Sequence, residues 1–173
     1  MRNRILAAAA LGAALIAGAA VAQPPNPLDL IPEKMPFDIP YGTPVSLERA
    51  EALINAAIAE STKRGWKMNV AVVDSGGNLV AFKRMDNAQL ASIDIAQHKA
   101  RAAAKYRRET KVFEYAMQLN NFHYIVTLDD VIASRGGIPL VEGGKLIGAI
   151  GCSGGTGSQD EAVCKVGAAT INK

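Results

Sequence analysis

The 173-residue chain has 2 cysteines, 2 histidines and 5% aromatic residues, with 20% charged and 49% hydrophobic. Two cysteines, Cys152 and Cys164, exclude a disulfide-dense scaffold and a four-thiolate zinc or iron–sulfur site. Two histidines, His98 and His123, exclude a multi-histidine metal centre. Charge of one sign is also lacking. The formal net charge is +3, and Arg2 and Arg4 lie in an N-terminal segment expected to be removed. Without them the balance is 17 against 16, or +1, which gives no electrostatic case for nucleic-acid or membrane-surface binding. No apolar run beyond the N-terminus approaches membrane-spanning length.

What is present begins with Met1-Arg-Asn-Arg4, followed by an uncharged run from Ile5 to Val21 and the small-residue pair Ala20 and Ala22. This is the order of a secretory signal, with cleavage expected before Gln23 and a periplasmic or secreted destination. Residues 23–45 hold seven of the eight prolines and are expected to form an extended arm. A folded domain is expected over residues 46–173.

Within that domain, Ser46 can cap a helix whose apolar positions Ala50, Leu53, Ile54, Ala57 and Ile58 keep a 3.6-residue period, with Gly65 beyond its end. Met68–Val73, the turn Ser75–Asn78 and Leu79–Phe82 read as a hairpin. Leu90–Arg107 reads as a helix, and Thr110 opens another with Val112, Phe113, Ala116 and Met117. Ile138–Val141, the turn Glu142–Lys145 and Leu146–Cys152 read as a second hairpin. Ser158 and Glu161 have the spacing of a capping box opening a last helix. Two hairpins with separate helices imply an α+β fold, a central antiparallel sheet with helices packed against it.

Three groups of residues could carry chemistry. Gly151-Cys-Ser-Gly-Gly-Thr-Gly157 joins a strand to a helix start and could present backbone amides to a small organic acid. It lacks the spacing of a P-loop or dinucleotide fingerprint and of a nucleophile elbow, so an enzyme is the weaker expectation. Asp94, His98, Arg101 and Lys105 recur at helical spacing and share one face. Ala91, Ile95 and Ala102 are expected beside the histidine as an apolar shoulder. Such a face suits imidazole ligation of haem iron by His98, with Arg101 or Lys105 near a propionate and Asp94 orienting the ring. A solvated helix face accounts for the same residues. His123, Met85, Tyr106 and Cys152 are alternative ligands. Cys152 and Cys164 form either a disulfide, which export favours, or two buried thiols.

Several strings together resemble a known family: Val70-Ala-Val-Val-Asp-Ser-Gly-Gly-Asn-Leu79, Arg84-Met-Asp86, Ala91-Ser-Ile-Asp-Ile-Ala96, Lys99-Ala100, Gly136-Gly-Ile-Pro-Leu140, and Ile147-Gly-Ala-Ile-Gly151 through Ser153-Gly-Gly155 with Asp160. Over residues 46–172 the chain resembles the GlcG/HbpS (DUF336) family of haem-binding proteins. That resemblance implies a profilin-like sandwich, frequent assembly into oligomers, and haem or iron binding in some members. Other members are linked to glycolate utilisation or fused to cobalamin adenosyltransferases. The expected function is an exported haem-binding protein in haem or iron handling or sensing. The alternatives are a small-acid binder or enzyme using the Gly151–Gly157 loop, and an accessory subunit docking through the proline-rich arm. A homo-oligomer is also expected from the last helix, because Ala162, Val163, Val166 and Ala169 on one face oppose Cys164, Gly167, Ala168 and Ile171 on the other.

Overall fold

The structure is a computed structural model, and it describes residues 29–172. The expected signal segment and the first part of the arm, 23–28, lie outside the described residues. The chain divides between Lys34 and Met35, and the sheet with its helices belongs to the unit that begins at Met35.

Helix α1, Leu47–Arg64, starts where the Ser46 side chain accepts a hydrogen bond from the Arg49 amide, and ends at left-handed Gly65. Strands β1, Asn69–Asp74, and β2, Leu79–Arg84, follow. The Asp74 carboxylate closes their turn by accepting from the Gly76 and Asn78 amides. Helix α2 spans Ser92–Tyr106 and α3 spans Lys111–Gln118, and a 3-10 turn, His123–Thr127, comes next. Strands β3, Gly137–Glu142, and β4, Lys145–Ser153, form the second hairpin, and α4, Gly157–Ala168, completes the fold.

The sheet order is β2-β1-β4-β3, and every neighbouring pair is antiparallel. The two hairpins therefore join through β1 and β4, with Val72 opposite Ile150. The expected α+β class and its two-hairpin sheet are what the structure shows. Side chains alternate across the sheet. Val70, Val72 and Ile150 share a core cluster with Leu53 and Ile54 of α1 and Val163 of α4. Ala71, Val73 and Ala149 pack with Ala96, Ala100 and Ala103 of α2. Helices thus cover both faces.

The α2 layer is made of small residues, so the helix backbone lies directly on the strands. A Cβ at Gly151 would stand 2.1 Å from the Ala96 carbonyl oxygen, and one at Gly137 2.3 Å from that of Lys99. On the other side, a Cβ at Gly167 would stand 2.9 Å from the Leu53 carbonyl oxygen, which sets how closely α4 approaches α1. A disulfide joins Cys152 at the end of β4 to Cys164 on α4, with a Cα–Cα distance of 5.6 Å.

Two local expectations are corrected. The α4 capping box is Thr156 with Gln159, not Ser158 with Glu161. Glu161 is instead buried and accepts from Lys165. The inner side of α4 is also covered within the chain, where Val163, Cys164, Gly167 and Ala168 are buried, while Val166 and Ala169 face outward. Part of the proline-rich stretch is stitched into the fold. The Leu146 amide donates to the Pro40 carbonyl, and the Gly42 and Val45 amides donate to the Leu146 and Ile147 carbonyls. Among the described residues no helix is long and apolar enough to cross a membrane.

Candidate functional site

The α2 stripe is only partly assembled as the sequence suggests. Asp130, held at a φ of 60°, reaches across to it: Arg101 Nε lies 3.7 Å from Asp130 Oδ1 and Lys105 Nζ bonds the other oxygen. The Lys105 hydrogen bond holds the Asp130 carboxyl below its ordinary range, helped by the charges of Arg101 and His98. Both expected propionate partners are therefore already engaged by one carboxylate. Asp94 is exposed and makes no hydrogen bond to His98. Ala102, one turn after His98, is turned inward. It is buried in a cluster with Phe113 of α3 and Ile125.

Two amides of the Gly151–Gly157 loop are engaged by side chains of α4. The Gly155 amide donates to Asp160 Oδ1 at 3.0 Å and the Thr156 amide to Gln159 Oε1 at 2.8 Å. Of the alternative ligands, Cys152 is tied in the disulfide. The Tyr106 hydroxyl donates to the Asp129 carbonyl at 2.7 Å, and Met85 Sδ accepts from the Met68 amide at 3.5 Å. His123 is exposed on the 3-10 turn. Among the described residues no group of three or more His, Cys, Asp or Glu could hold a metal ion.

A cleft of about 380 Å³ lies elsewhere, between the arm, the α2–α3 corner and the edge strand β3. Phe37 and Ile39 of the arm, Val112 and Tyr115 of α3, and Ile138 and Pro139 of β3 line it. Arg107, Arg108 and Lys111 border this apolar slot together with Glu109, and each cation already has a partner: the Ile39 carbonyl for Arg107, the Tyr106 carbonyl for Arg108 and Glu161 for Lys111. Local chemistry builds each part. Arg107 ends α2 in the left-handed conformation, and its Nη1 donates to the Ile39 carbonyl at 3.0 Å. The Arg108 guanidinium stacks 3.5 Å from the Phe37 ring centroid, and burial pushes its pKa down. Thr110, fully buried, anchors α3 to β3 by exchanging hydrogen bonds with Gly137. Asn172 occupies the rest of that strand edge, accepting from the Val141 amide and donating to the Pro139 carbonyl. Pro139, lacking an N–H, costs no ladder bond on an edge strand.

Tyr115 has Arg135 5.3 Å and Lys111 5.4 Å from its ring centroid. Arg135 is fixed by Glu114, which accepts from its Nε at 2.8 Å, and by Glu161 at 3.4 Å. The sequence offered little to find this site. It is drawn from four separated segments, and Phe37 lies in a stretch whose prolines read as a spacer. The adjacent arginines after α2 were the one visible signal.

An apolar slot with a cationic margin is the chemistry of a site for a flat, anionic small molecule, on an α+β module whose sheet is covered on both faces. The chain belongs to the HbpS-like family: the family described as haem degrading protein HbpS-like matches residues 45–169. It is 43% identical to the protein GlcG of Escherichia coli K12 over 109 residues, 63% of this chain and 81% of that protein. Its fold is similar to that of HbpS of Streptomyces reticuli, solved as a double mutant, with a TM-score of 0.71 at 27% identity, covering 83% and 97% of the two chains. A solved complex of PduOC with haem is similar at a TM-score of 0.68 and 27% identity, covering 75% and 96%. These likenesses support a haem-related function.

Proposed function

We propose that this protein binds haem non-covalently in the cleft between Phe37, Tyr115 and Pro139. The observation that carries the reading is the cleft itself, with an apolar lining to receive a macrocycle and Arg107, Arg108 and Lys111 at its margin, whose present bonds to the Ile39 and Tyr106 carbonyls and Glu161 the haem carboxylates would replace. Desolvating a flat apolar face against Phe37, Val112 and Ile138 supplies affinity, and the cations fix orientation. The haem-bound PduOC relative supports the choice of ligand. Bound haem would supply redox-active iron. The cleft residues bind, orient and screen it.

Haemin titration of the purified protein, followed by the Soret band, tests the reading. The double variant Arg107→Glu, Lys111→Glu is expected to bind about tenfold or more weakly, each step of ten being about 1.4 kcal/mol. Unchanged affinity would reject the cleft. The second arrangement places haem on His98, favoured by the convergence of Arg101 and Lys105 one and two turns along α2. It requires Asp130 to release them, and a loss of binding in His98→Ala with the cleft variant unaffected would select it.

Export to the periplasm or beyond is part of the same proposal. The residue pattern of 1–22 supports it, and so does the disulfide, since such bonds persist in oxidising compartments. Intact mass of exported protein is expected to begin at Gln23. Self-association rests on the exposed Val166 and Ala169 of α4, and light scattering at micromolar concentration tests it.

A further inference from the structure

We infer that a second cavity, separate from the haem cleft, binds a small aromatic monocarboxylate whose acid group pairs with Arg108. The cavity, of about 320 Å³, lies between α3 and the 3-10 turn and is more enclosed than the cleft. That is the small end of the range for ligand pockets, about 300–1,000 Å³. Four aromatic rings line it, those of Tyr106, Phe113, Phe122 and Tyr124, with Ile125 beside them. Phe113 and Ile125 are each 4% exposed and Tyr124 is 50% exposed, so the cavity has a buried floor and a way in from solvent.

Among the described residues Arg108 is the one cation of this lining, and no Asp or Glu belongs to it. Its guanidinium carbon lies 3.5 Å from the ring centroid of Phe37, which lines the cleft. It lies 5.6 and 5.9 Å from the ring centroids of Phe113 and Tyr106, which line the cavity. The charged head, and not only its stem, therefore stands between the two. Nε donates to the Tyr106 carbonyl at 2.9 Å, and the two terminal nitrogens make no hydrogen bond among the described residues. Arg101, Arg107, Lys111 and Arg135 each lie within 4.0 Å of a carboxylate oxygen; Arg108 has no such partner. Burial and the neighbouring charge of Arg107 both disfavour its charged form, a cost that a bound anion relieves. A carboxylate takes both terminal nitrogens at once, the bidentate geometry a guanidinium suits. The attached ring packs among Phe113, Phe122 and Tyr124, where edge and face contacts add to area burial. A single cation leaves nothing for a second acid group.

The experiment titrates benzoate into purified protein without haemin, so its result is independent of the cleft reading. Binding is followed by calorimetry and by NMR shifts of the Ala116 and Ile125 methyls, which line the cavity. Benzoate is expected to bind and to move both. Benzyl alcohol, which keeps the ring, and acetate, which keeps the acid, should each bind about tenfold or more weakly. Arg108→Gln should weaken benzoate about tenfold, and Arg108→Lys, which keeps the charge but loses the fork, should fall between it and the parent. Ala116→Leu fills the cavity from α3 without touching the guanidinium and should abolish binding. Thermal melts check that each variant folds. No benzoate binding to the parent at millimolar concentration, or acetate binding as tightly as benzoate, would overturn the inference. So would parent-like affinity in folded Arg108→Gln or folded Ala116→Leu.

Discussion

Lys99 Nζ lies 2.7 Å from Asp160 Oδ2, and both residues are almost wholly buried, at 1% and 2% exposure. The pair follows from the closeness of α2 to the sheet. The Lys99 carbonyl sits over Gly137, so its side chain has no route to solvent and runs instead to the first turn of α4. Asp160 also accepts from the Gly155 amide, so one carboxylate ties α2, the β4–α4 loop and α4 together. Burial pushes its pKa up, against the opposing pull of Lys99 and the loop amides. Removing one partner strands the other charge. Lys99→Met is expected to cost about 3–5 kcal/mol in urea unfolding, whereas Lys99→Met with Asp160→Leu should recover most of that loss. Additive losses in the double-mutant cycle would show that the two residues act independently.

Contact between α2 and the strands is tighter than any side chain allows. Gly151→Ala would place a methyl 2.1 Å from the Ala96 carbonyl and 2.6 Å from the Ala100 amide nitrogen. Both neighbours are helix backbone, which cannot yield locally. The variant is expected to lose its cooperative thermal transition or fold only at reduced temperature. Gly143→Ala is the control at a solvent-facing turn with nothing within 4 Å; its left-handed φ of 54° predicts a cost of about 1 kcal/mol. Equal effects at both positions would refute helix–sheet contact as the cause.

Elements with a strong period were legible from sequence: α1 and its Ser46 and Gly65 ends, both hairpins and α2. Their signals are local, set by apolar spacing and turn residues. What was not legible depends on packing across the chain. Ala102 could be assigned to the helix but not to its partner Phe113, and Thr156 is the cap because the helix already begins at Gly157, which leaves Ser158 inside it. The cleft combines Phe37 with residues from Arg107 to Asn172, and no spacing rule relates them. Lys99 entered the sequence reading only within the Lys99-Ala100 string, yet it is among the most buried residues.

The disulfide between Cys152 and Cys164 closes a loop with a sequence separation of 12, containing the whole β4–α4 turn. In the chain-entropy account such a loop stabilises by about 3 kcal/mol. Both cysteines are fully buried, so reduction of folded protein should be slow and reduction after unfolding fast. Cys152→Ala with Cys164→Ala is expected to lower the urea midpoint with little change in slope. Two titratable thiols in unfolded, unreduced protein would show that the bond does not form.

Acid should weaken the fold through the cluster behind Tyr115. Glu114 accepts from the Arg135 guanidinium and also from its backbone amide at 2.9 Å. The guanidinium hydrogen bond holds the Glu114 carboxyl below its ordinary value of 4.5, with burial opposing. Glu161 is shifted the same way: burial raises it, but Lys165 and Lys111 together outweigh that. A carboxyl whose folded pKa is depressed binds its proton more weakly than in the unfolded chain. Its stabilising contribution is therefore complete above about pH 4.5 and is lost as pH falls through the depressed folded value. Glu114→Gln should unfold at lower urea than the parent near neutral pH, and the gap should narrow progressively below about pH 4.5. A stability gap that stays constant across the acid range would mean that the Glu114–Arg135 pair is not the titrating element.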